Sequence, residues 1–266
     1  MRPAPRTRDA ESRARDSLRT LQTLYAGTSG FSYASWKGGF YPANLAGSKM
    51  LAHYASKLNG IELNGSFYRT PPPSTLEHWS ADVPPGFRFC MKANRALTYS
   101  ADAFDRVGVA KSFGERMSPL GNRLGPILLQ FPPVRRFNLA LLDALLAALE
   151  RTAAVEFRHD SWFNDETYAV IRRHGGALVV TDEEKWPRAP LVEVGPVAYF
   201  RLRRGYSEET LYPWTAEVRS AVGAHEDVHV YFKHFPESPG LALRLLELAA
   251  GGAGKGSGSR RRRSRP

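Results

Sequence analysis

The chain has 266 residues, of which 42% are hydrophobic, and this is long enough for one domain with a single buried core. Its single cysteine, Cys90, excludes an intrachain disulfide and a zinc site built from several cysteines. No apolar run is long enough to span a bilayer, and the charged segment 1–22 lacks the apolar core of an export signal. We therefore expect a cytoplasmic protein with no membrane partner.

The net charge of +11 is concentrated at the two ends of the chain. Residues 1–22 contain six Arg and three acidic residues, and residues 251–266 contain six basic residues and no acidic one. The sequence thus predicts a basic N-terminal extension over 1–22, a domain over 23–250 and a disordered basic tail over 251–266. Four consecutive Arg after a Gly/Ser-rich stretch are typical of non-specific contact with nucleic acid, and more commonly of a solvated tail without a particular partner.

Short apolar runs recur along the domain and predict eight strands. They lie at 24–29, 60–64, 87–92, 126–131, 153–158, 177–182, 197–202 and 228–233. Helical patterns follow most of these strands, at 48–58, 74–81, 102–117, 139–150, 165–174, 207–222 and 240–250. No helix is predicted between the sixth and the seventh strand.

This alternation of strand and helix is the pattern of an α/β fold, a single-domain (β/α)8 TIM barrel. Several strands lack polar alternation, as expected where both faces of a strand are covered. An open doubly wound sheet is the alternative. The chain has no G-x-G-x-x-G loop after a strand, and this favours the barrel.

Polar side chains cluster where the predicted strands end, and that end carries the chemistry in TIM barrels. Because side chains two positions apart share one face of a strand, Glu62 should point the same way as Asn64, and Glu156 the same way as Arg158. The barrel mouth should therefore hold charges of both signs, with aromatic side chains from the following loops around it. The candidate residues are Glu62, Asn64, Tyr68, Lys92, Gln130, Glu156, Arg158, His159, Trp162, Asp182, Arg201, Arg203 and Lys233.

Seven motifs occur in a fixed order: GTSGFSYASWKGGFYP, IELNGSFYRTPPPSTLEHW, PPGFRFCMKANR, LGPILLQFPP, AVEFRHDSWF, YFRLRRGYSEETL and VHVYFKHF. Together they resemble the YecE-like family, which is also known as domain-of-unknown-function family 72. The resemblance extends over about residues 24–250 and implies a TIM barrel.

What the resemblance implies about activity is general. Proposals for the family concern nucleic-acid or phosphodiester chemistry, because the barrel is similar to those of apurinic endonucleases and sugar isomerases. Many members have His-Gly after strand seven, where this chain has Arg203-Arg204-Gly205, and many end strand eight in Phe-Asn-Asn, where it has Phe232-Lys233-His234. The chain resembles the Arg-Arg/Lys-His variety, so no role of the strand-seven histidine is transferred to it.

Three classes of function fit these residues. The first is a hydrolase or lyase that acts on a phosphorylated or nucleic-acid-like substrate. Cationic side chains would bind the anion, Glu156 or Glu62 would act as general base, and His159 or Lys92 would donate a proton. The predicted substrate contacts are Arg158, Arg201, Arg203, Lys92, Lys233, Asn64, Tyr68, Gln130 and Trp162.

The second class is a divalent-metal enzyme that uses Glu62, Glu156, Asp182 and a histidine. Cations around the same mouth oppose a metal ion, and no H-x-H or H-E-x-x-H spacing occurs, so we expect neither a metal nor another cofactor. The third class is a non-enzymatic module that binds a nucleotide, a sugar or a single strand by stacking on aromatic side chains.

Each candidate residue also has a purely structural interpretation. The carboxylates and cations can form a static network of ion pairs. His159 can cap the loop that follows it, Trp162 can pack within that loop, and Cys90 can be a buried, inert thiol. In either case, positive neighbours should keep Glu156 ionised in the empty site.

Overall fold

The computed structural model describes residues 23–100 and 105–251. Within these residues the chain forms eight strands, close to the predicted positions. They are β1 (Leu24–Ser29), β2 (Gly60–Leu63), β3 (Arg88–Met91), β4 (Ile127–Phe131), β5 (Ala153–Phe157), β6 (Ala177–Asp182), β7 (Val197–Leu202) and β8 (Asp227–Phe232).

Helices connect most of these strands, and short 3₁₀ turns occur between them. The α-helices of the described residues are α1 (Met50–Ala55), α2 (Pro73–Ala81), α3 (Arg95–Thr98), α4 (Arg106–Arg116), α5 (Leu139–Leu149), α6 (Asp165–Arg173), α7 (Glu208–Ala224) and α8 (Ser238–Ala249). The short α3 was not predicted, because four residues are too few for a helical period to show in the sequence.

All neighbouring strands pair in parallel, in the order β3-β2-β1-β8-β7-β6-β5-β4. The two outermost strands meet through backbone hydrogen bonds from Gly125 N to Phe89 O and from Ala93 N to Leu128 O, each 2.9 Å long. We call this junction the β3–β4 seam. Because the seam brings the sheet edges together, the predicted single-domain (β/α)8 TIM barrel is confirmed.

The main hydrophobic core lies between the barrel and the helices. Alternate strand residues, such as Val155 and Phe157 of β5, point outward and are buried there. The side chains of Asn138 and Asn164 accept backbone hydrogen bonds of 2.9 Å at the starts of α5 and α6. These caps satisfy amides that have no partner within the helix, and so they fix where each helix begins.

The barrel interior has an apolar middle layer below the mouth. Gly60 leaves room for the ring of Tyr231, because a Cβ at this glycine would lie 3.0 Å from the Tyr231 hydroxyl. The thiol of Cys90 is fully buried, 3.2 Å from the same hydroxyl, and burial raises its pKa. The layer thus agrees with the interpretation of an inert cysteine. Its members are Cys90, Leu128, Ala154, Ala177, Val179, Tyr199 and Tyr231.

The connection between β6 and β7, residues 183–196, contains no helix, as predicted. Its extended chain leaves a cavity of about 170 Å³ on the outer side of the barrel, lined in part by Val180, Leu191 and Ala221. The first residues of the 183–196 connection lie at the carboxyl end of β6, and they therefore border the mouth.

Two of the predictions concern parts of the chain outside the described residues. The basic extension over 1–22 and the tail beyond Gly251, with its predicted contact to nucleic acid, belong to these parts. Among the helices of residues 23–100 and 105–251, none is both long and apolar enough to cross a membrane.

Candidate functional site

Arg201, on β7, connects two acidic residues inside the barrel mouth. Only 2% of its side chain is exposed. Its Nε and Nη2 donate to the two carboxylate oxygens of Glu62, each at 2.8 Å, and its Nη1 donates to Oε2 of Glu156. One buried guanidinium thus joins buried carboxylates from β2 and β5, and this pairing is what buried charges require.

Both oxygens of Glu62 accept further hydrogen bonds. Ser29 Oγ donates to the carboxylate at 2.8 Å, Asn64 Nδ2 at 3.2 Å and the Tyr199 hydroxyl at 3.0 Å. Burial alone would raise the pKa of this carboxyl, but the charge of Arg201 and the hydrogen bonds outweigh burial and hold the pKa at about 2. Glu62 is therefore an anion whose lone pairs are already in use.

Glu156 is held in a similar way. Its Oε1 accepts from Gln130 Nε2 at 2.7 Å and from Arg158 Nε at 3.0 Å. Burial would raise its pKa, but the charges of Arg201 and Arg158 hold the pKa at about 2. This agrees with the expectation that positive neighbours keep Glu156 ionised. A carboxyl with so low a pKa is a weak base near neutral pH, so the geometry favours a positioning role over the predicted proton transfer.

Lys92 lies at the end of β3 and faces the same mouth. Its Nζ donates to Gln130 Oε1 at 2.7 Å and lies 4.0 Å from the centre of the Phe67 ring. Burial, and after it the charge of Arg201, lowers the pKa of Lys92 to about 8. An amine that titrates this close to neutral pH can exchange protons with a ligand.

Arg158 connects the mouth to the segment between β6 and β7. Its guanidinium lies 5.0 Å from the centre of the Trp186 ring, and its Nη2 lies 3.8 Å from Oε2 of Glu183. That Glu183 oxygen is buried and accepts no hydrogen bond from the part of the chain that the structure describes. The start of the 183–196 connection is therefore part of the site.

Two further cations follow β7 and β8. Arg203 donates from Nη1 to Ser29 Oγ at 2.7 Å, and the same nitrogen lies 4.0 Å from Glu62. Its Nε is buried and has no hydrogen-bond partner within residues 23–100 and 105–251. Lys233 places its Nζ 4.9 Å from the centre of the Phe235 ring. Both side chains retain donors for an anionic ligand.

Asn64 and Tyr68 come from the turn that follows β2. While Asn64 Nδ2 binds Glu62, its Oδ1 is buried and accepts nothing from the described residues. Tyr68 is the opposite case, because 75% of its surface is exposed. Asn64 therefore belongs to the mouth itself, whereas Tyr68 is free to contact a ligand only from outside.

Asp182 lies away from this network. Val179 of β6 points into the barrel, and Asp182, three positions further along, points to the other face. There it forms an ion pair of 3.0 Å with Arg204 and accepts a hydrogen bond of 2.7 Å from the Tyr206 hydroxyl. This position gives no support to the metal-binding role considered for Asp182.

His159 and Trp162 take the structural roles that were the alternative to function. The Nδ1 of His159 accepts a hydrogen bond of 3.1 Å from Ser161 N and so caps the turn after β5. Trp162 is fully buried, donates from Nε1 to Arg135 O at 2.7 Å and stacks on Phe157 with 4.5 Å between ring centres. A buried ring of this kind has no face to offer a ligand.

The acidic side chains of the mouth form ion pairs with arginine side chains. In the described part of the chain, no three His, Cys, Asp or Glu side chains come together as a set that could hold a metal ion.

Comparison with known proteins places this geometry in a family. The family model "Protein of unknown function DUF72" matches residues 25–262. The chain belongs to the DUF72 family. A DUF72 family protein of Thermotoga maritima MSB8, solved by crystallography, is 30% identical, with a TM-score of 0.75 over 85% of this chain and 98% of that chain.

Two further relatives extend the comparison. A DUF72 family protein of Enterococcus faecalis V583 is 20% identical over 85% of this chain and 97% of that chain, with a TM-score of 0.67, and it supports the fold alone. The curated protein "UPF0759 protein YecE" of Escherichia coli K12 is 30% identical over 145 residues, which are 53% of this chain and 50% of the relative. The chain thus spans about half the length of this curated relative.

In this DUF72 barrel, three residues of the site were missed by the sequence analysis. Tyr199 lies two positions before Arg201 on the same strand face, so the period of two could have indicated it. Glu183 follows the strand end directly, and its neighbourhood is visible only in the fold. The hydroxyl of Tyr99 donates to Gln130 Oε1 at 3.2 Å from just after α3, and no sequence signal marks it.

Proposed function

We propose that this protein is an enzyme, a hydrolase or lyase, that binds a small phosphorylated or nucleic-acid-related substrate at the carboxyl-terminal mouth of its barrel. Positions at this end of the strands carry the chemistry in TIM-barrel enzymes. The descriptions of the family and of the two solved relatives named above state no substrate, so the proposal is based on the residues of the mouth.

The observation that carries the proposal is a surplus of unused cationic donors. Glu62 and Glu156 already accept from Arg201 and from several neutral donors. Arg203, by contrast, has a buried Nε with no partner in the described residues, and Lys92 donates to a neutral amide. An unused donor that is buried destabilises the empty site, and an anionic ligand would relieve this.

The net charge of the mouth also supports binding of an anion. Arg158, Arg201, Arg203 and protonated Lys92 provide four positive charges, and Glu62, Glu156 and Glu183 provide three negative ones, within one set of contacts. The mouth is therefore positive by one charge, to which Lys233 at the end of β8 adds another. Arginine side chains bind phosphate oxygens with two parallel hydrogen bonds, and in this proposal Arg158 and Arg203 take that role.

Proton transfer is assigned to Lys92 in this proposal. Its pKa of about 8 is closer to neutral pH than the pKa of about 2 of either carboxyl. Glu62 and Glu156 act as positioning residues, because they hold Arg201 and the Gln130 amide in place. The sequence-based assignment of a carboxylate as general base is thus replaced by an amine.

The test measures thermal unfolding of the full chain with increasing inorganic phosphate, glycerol phosphate and a mononucleotide, with chloride at equal ionic strength as control. A ligand that binds the folded state raises the midpoint by mass action. We expect phosphate-containing ligands to raise it and Arg203→Met to abolish the effect, while Arg219→Met, an exposed arginine on α7, leaves it unchanged.

Turnover is then measured for the phosphorylated ligands that bind. Product formation that is lost in Lys92→Met supports the enzyme. Binding without turnover of any ligand would contradict it and favour a non-enzymatic binding module, and no effect of any phosphate compound would contradict the site itself.

A further inference from the structure

The amine of Lys92 has unusual surroundings for a lysine near two carboxylates. Its nearest acceptor is the neutral Oε1 of Gln130 at 2.7 Å, and the face of Phe67 covers it at 4.0 Å. Within residues 23–100 and 105–251 it forms no ion pair of 4.0 Å or less with any carboxylate. Its positive charge therefore lacks the partner that normally stabilises a buried ammonium.

The Gln130 side chain is the reason for this separation. Its Nε2 donates to Glu156 Oε1 at 2.7 Å, and because a carboxylate only accepts, this bond turns Oε1 of the amide toward Lys92. The amide thus stands between the negative charge of Glu156 and the amine. A neutral amide oxygen stabilises the ammonium form of Lys92 less than a carboxylate in the same place would, so the burial of the amine is not fully offset.

Cationic neighbours add to this effect. After burial, the largest influence on the Lys92 pKa is the positive charge of Arg201, which lowers it. The carboxylates of Glu156 and Glu62 act in the opposite direction, and Arg158 lowers the pKa again. With a pKa of about 8, roughly a tenth of the Lys92 side chains are neutral at pH 7. Neutral lysine is a nucleophile, and burial beside another cation is a known way to make one in proteins.

A proton donor lies beside the amine. The hydroxyl of Tyr99 donates to the same Gln130 oxygen at 3.2 Å, so the phenol and the amine converge on one atom. Burial raises the pKa of Tyr99, and the hydroxyl therefore keeps its proton at neutral pH. It can donate that proton to an oxygen atom placed over Lys92.

We propose that Lys92 is the covalent nucleophile of this site and forms an imine with the aldehyde or ketone carbon of an anionic carbonyl substrate. The inference rests on the proposed anion-binding function of the mouth, where Arg158 and Arg203 would hold the phosphate of that substrate. It narrows the substrate class to phosphorylated carbonyl compounds, and the reaction class to that of a lyase.

The step balances without a further reagent. Neutral Nζ adds to the carbonyl carbon, and a proton from Tyr99 converts the carbonyl oxygen to a hydroxyl. The nitrogen, which is positive after the addition, returns one proton to the Tyr99 phenolate and regains its lone pair. That lone pair then expels the hydroxyl, which takes the Tyr99 proton and leaves as water. A protonated imine and a Tyr99 phenolate remain, and the phenolate regains its proton from solvent. The imine withdraws electrons from the neighbouring carbon, and this is how lysine enzymes break a carbon–carbon or carbon–hydrogen bond there.

The experiment traps the imine in the full chain. Wild-type protein is incubated with dihydroxyacetone phosphate and sodium borohydride, which transfers a hydride to the imine carbon and leaves a stable secondary amine. Peptide mass mapping then gives the labelled fraction of each lysine. We expect Lys92 to be labelled about tenfold more than Lys111, an exposed lysine on α4, because Lys92, unlike Lys111, lies beside the proposed anion site and has a lowered pKa.

Four controls connect the label to the geometry. Inorganic phosphate should compete with it, and dihydroxyacetone without phosphate should label weakly. Lys92→Met should remove the label, whereas Lys111→Met should keep it. Labelling should increase as the pH rises through about 8, where Lys92 loses its proton.

The outcomes separate this inference from the proposed function. Lys92 labelled no more than Lys111, while phosphate still raises the unfolding midpoint, overturns the imine and leaves the anion site standing. Strong labelling of Lys92 without competition by phosphate supports the nucleophile and contradicts the role of Arg158 and Arg203. No label and no effect of phosphate contradict both.

Discussion

Arg201 and Glu62 form two parallel hydrogen bonds across the barrel interior, from Nε to Oε2 and from Nη2 to Oε1, each 2.8 Å long. The two residues come from β7 and β2, which are separated in the sheet by β8 and β1. The pair therefore connects strands that share no backbone hydrogen bonds. Because Arg201 also holds Glu156 on β5, one guanidinium fixes the relative positions of three strand ends.

Removal of this guanidinium should destabilise the fold strongly. Arg201→Met leaves Glu62 and Glu156 buried without their main counter-charge, and breaking a buried pair in this way costs about 3–5 kcal/mol of the free energy of unfolding. Urea denaturation measures the loss. Arg173→Met is the matched control, because Arg173 pairs with Asp143 on the surface, where such a pair contributes about 0.2–1 kcal/mol. Similar losses in the two variants would show that the buried network is not a stabilising element.

Acid should weaken the protein through the same carboxyls. The ordinary pKa of Glu62 and Glu156 is 4.5, and their pKa in the folded protein is about 2. Because the folded values are the lower ones, their contribution is fully present above about pH 4.5 and is lost as the pH falls toward about 2. Urea denaturation over this range should give a steep decrease in stability. The triple variant Glu62→Gln, Glu156→Gln, Arg201→Met removes the charges together, and its decrease should be shallower; equal slopes would contradict the assignment.

Arg158 and Glu156 should affect anion binding in opposite directions. Arg158→Met removes a donor from the mouth and should weaken binding of inorganic phosphate roughly tenfold. Glu156→Gln makes the mouth more positive by one charge and should retain or tighten that binding, although the folded state loses stability. Titration of the unfolding midpoint with phosphate measures both. Loss of binding in Glu156→Gln at a temperature where it remains folded would contradict this account.

Trp162 should be important for stability and not for ligand binding. Trp162→Ala removes a fully buried ring and should cost about 3–5 kcal/mol. Tyr68→Ala, at a ring that is 75% exposed, should change stability by less than about 0.5 kcal/mol. Denaturant unfolding of the two variants is sufficient. A Trp162→Ala protein of normal stability that binds phosphate poorly would restore the stacking role expected from the sequence.

The strands were predictable because the residues that define each strand are adjacent in the sequence. Apolar runs bounded by turn residues marked all eight, and the polar residues at their ends marked the mouth. The face on which Asp182 lies was not predictable, because ALVVTD is apolar at successive positions and its two faces look alike in the sequence. Glu156 and Arg158 share a face as expected, since their ion pair of 3.0 Å requires it.

The pairing of charges across the barrel could not be read from the sequence. Arg201 reaches Glu62 over 139 positions of the chain, and only the order and register of the strands bring the two together. The sequence also gave no reason to place Gln130 between Glu156 and Lys92. The composition of the mouth was therefore predictable, whereas the assignment of roles within it depends on contacts between distant strands.

The β3–β4 seam has a kinetic consequence for the mouth. Two backbone hydrogen bonds hold the seam, whereas β7 and β8 pair from Val197 to Leu202, so the barrel wall should open more readily at the seam than between β7 and β8. The hydrogen bond from Lys92 to Gln130 crosses the same seam, because Lys92 follows β3 and Gln130 lies on β4. A ligand that bridges Lys92 and Arg158 would hold β3 and β5 together across the seam. Local opening of the seam would then set the rate at which such a ligand binds and dissociates.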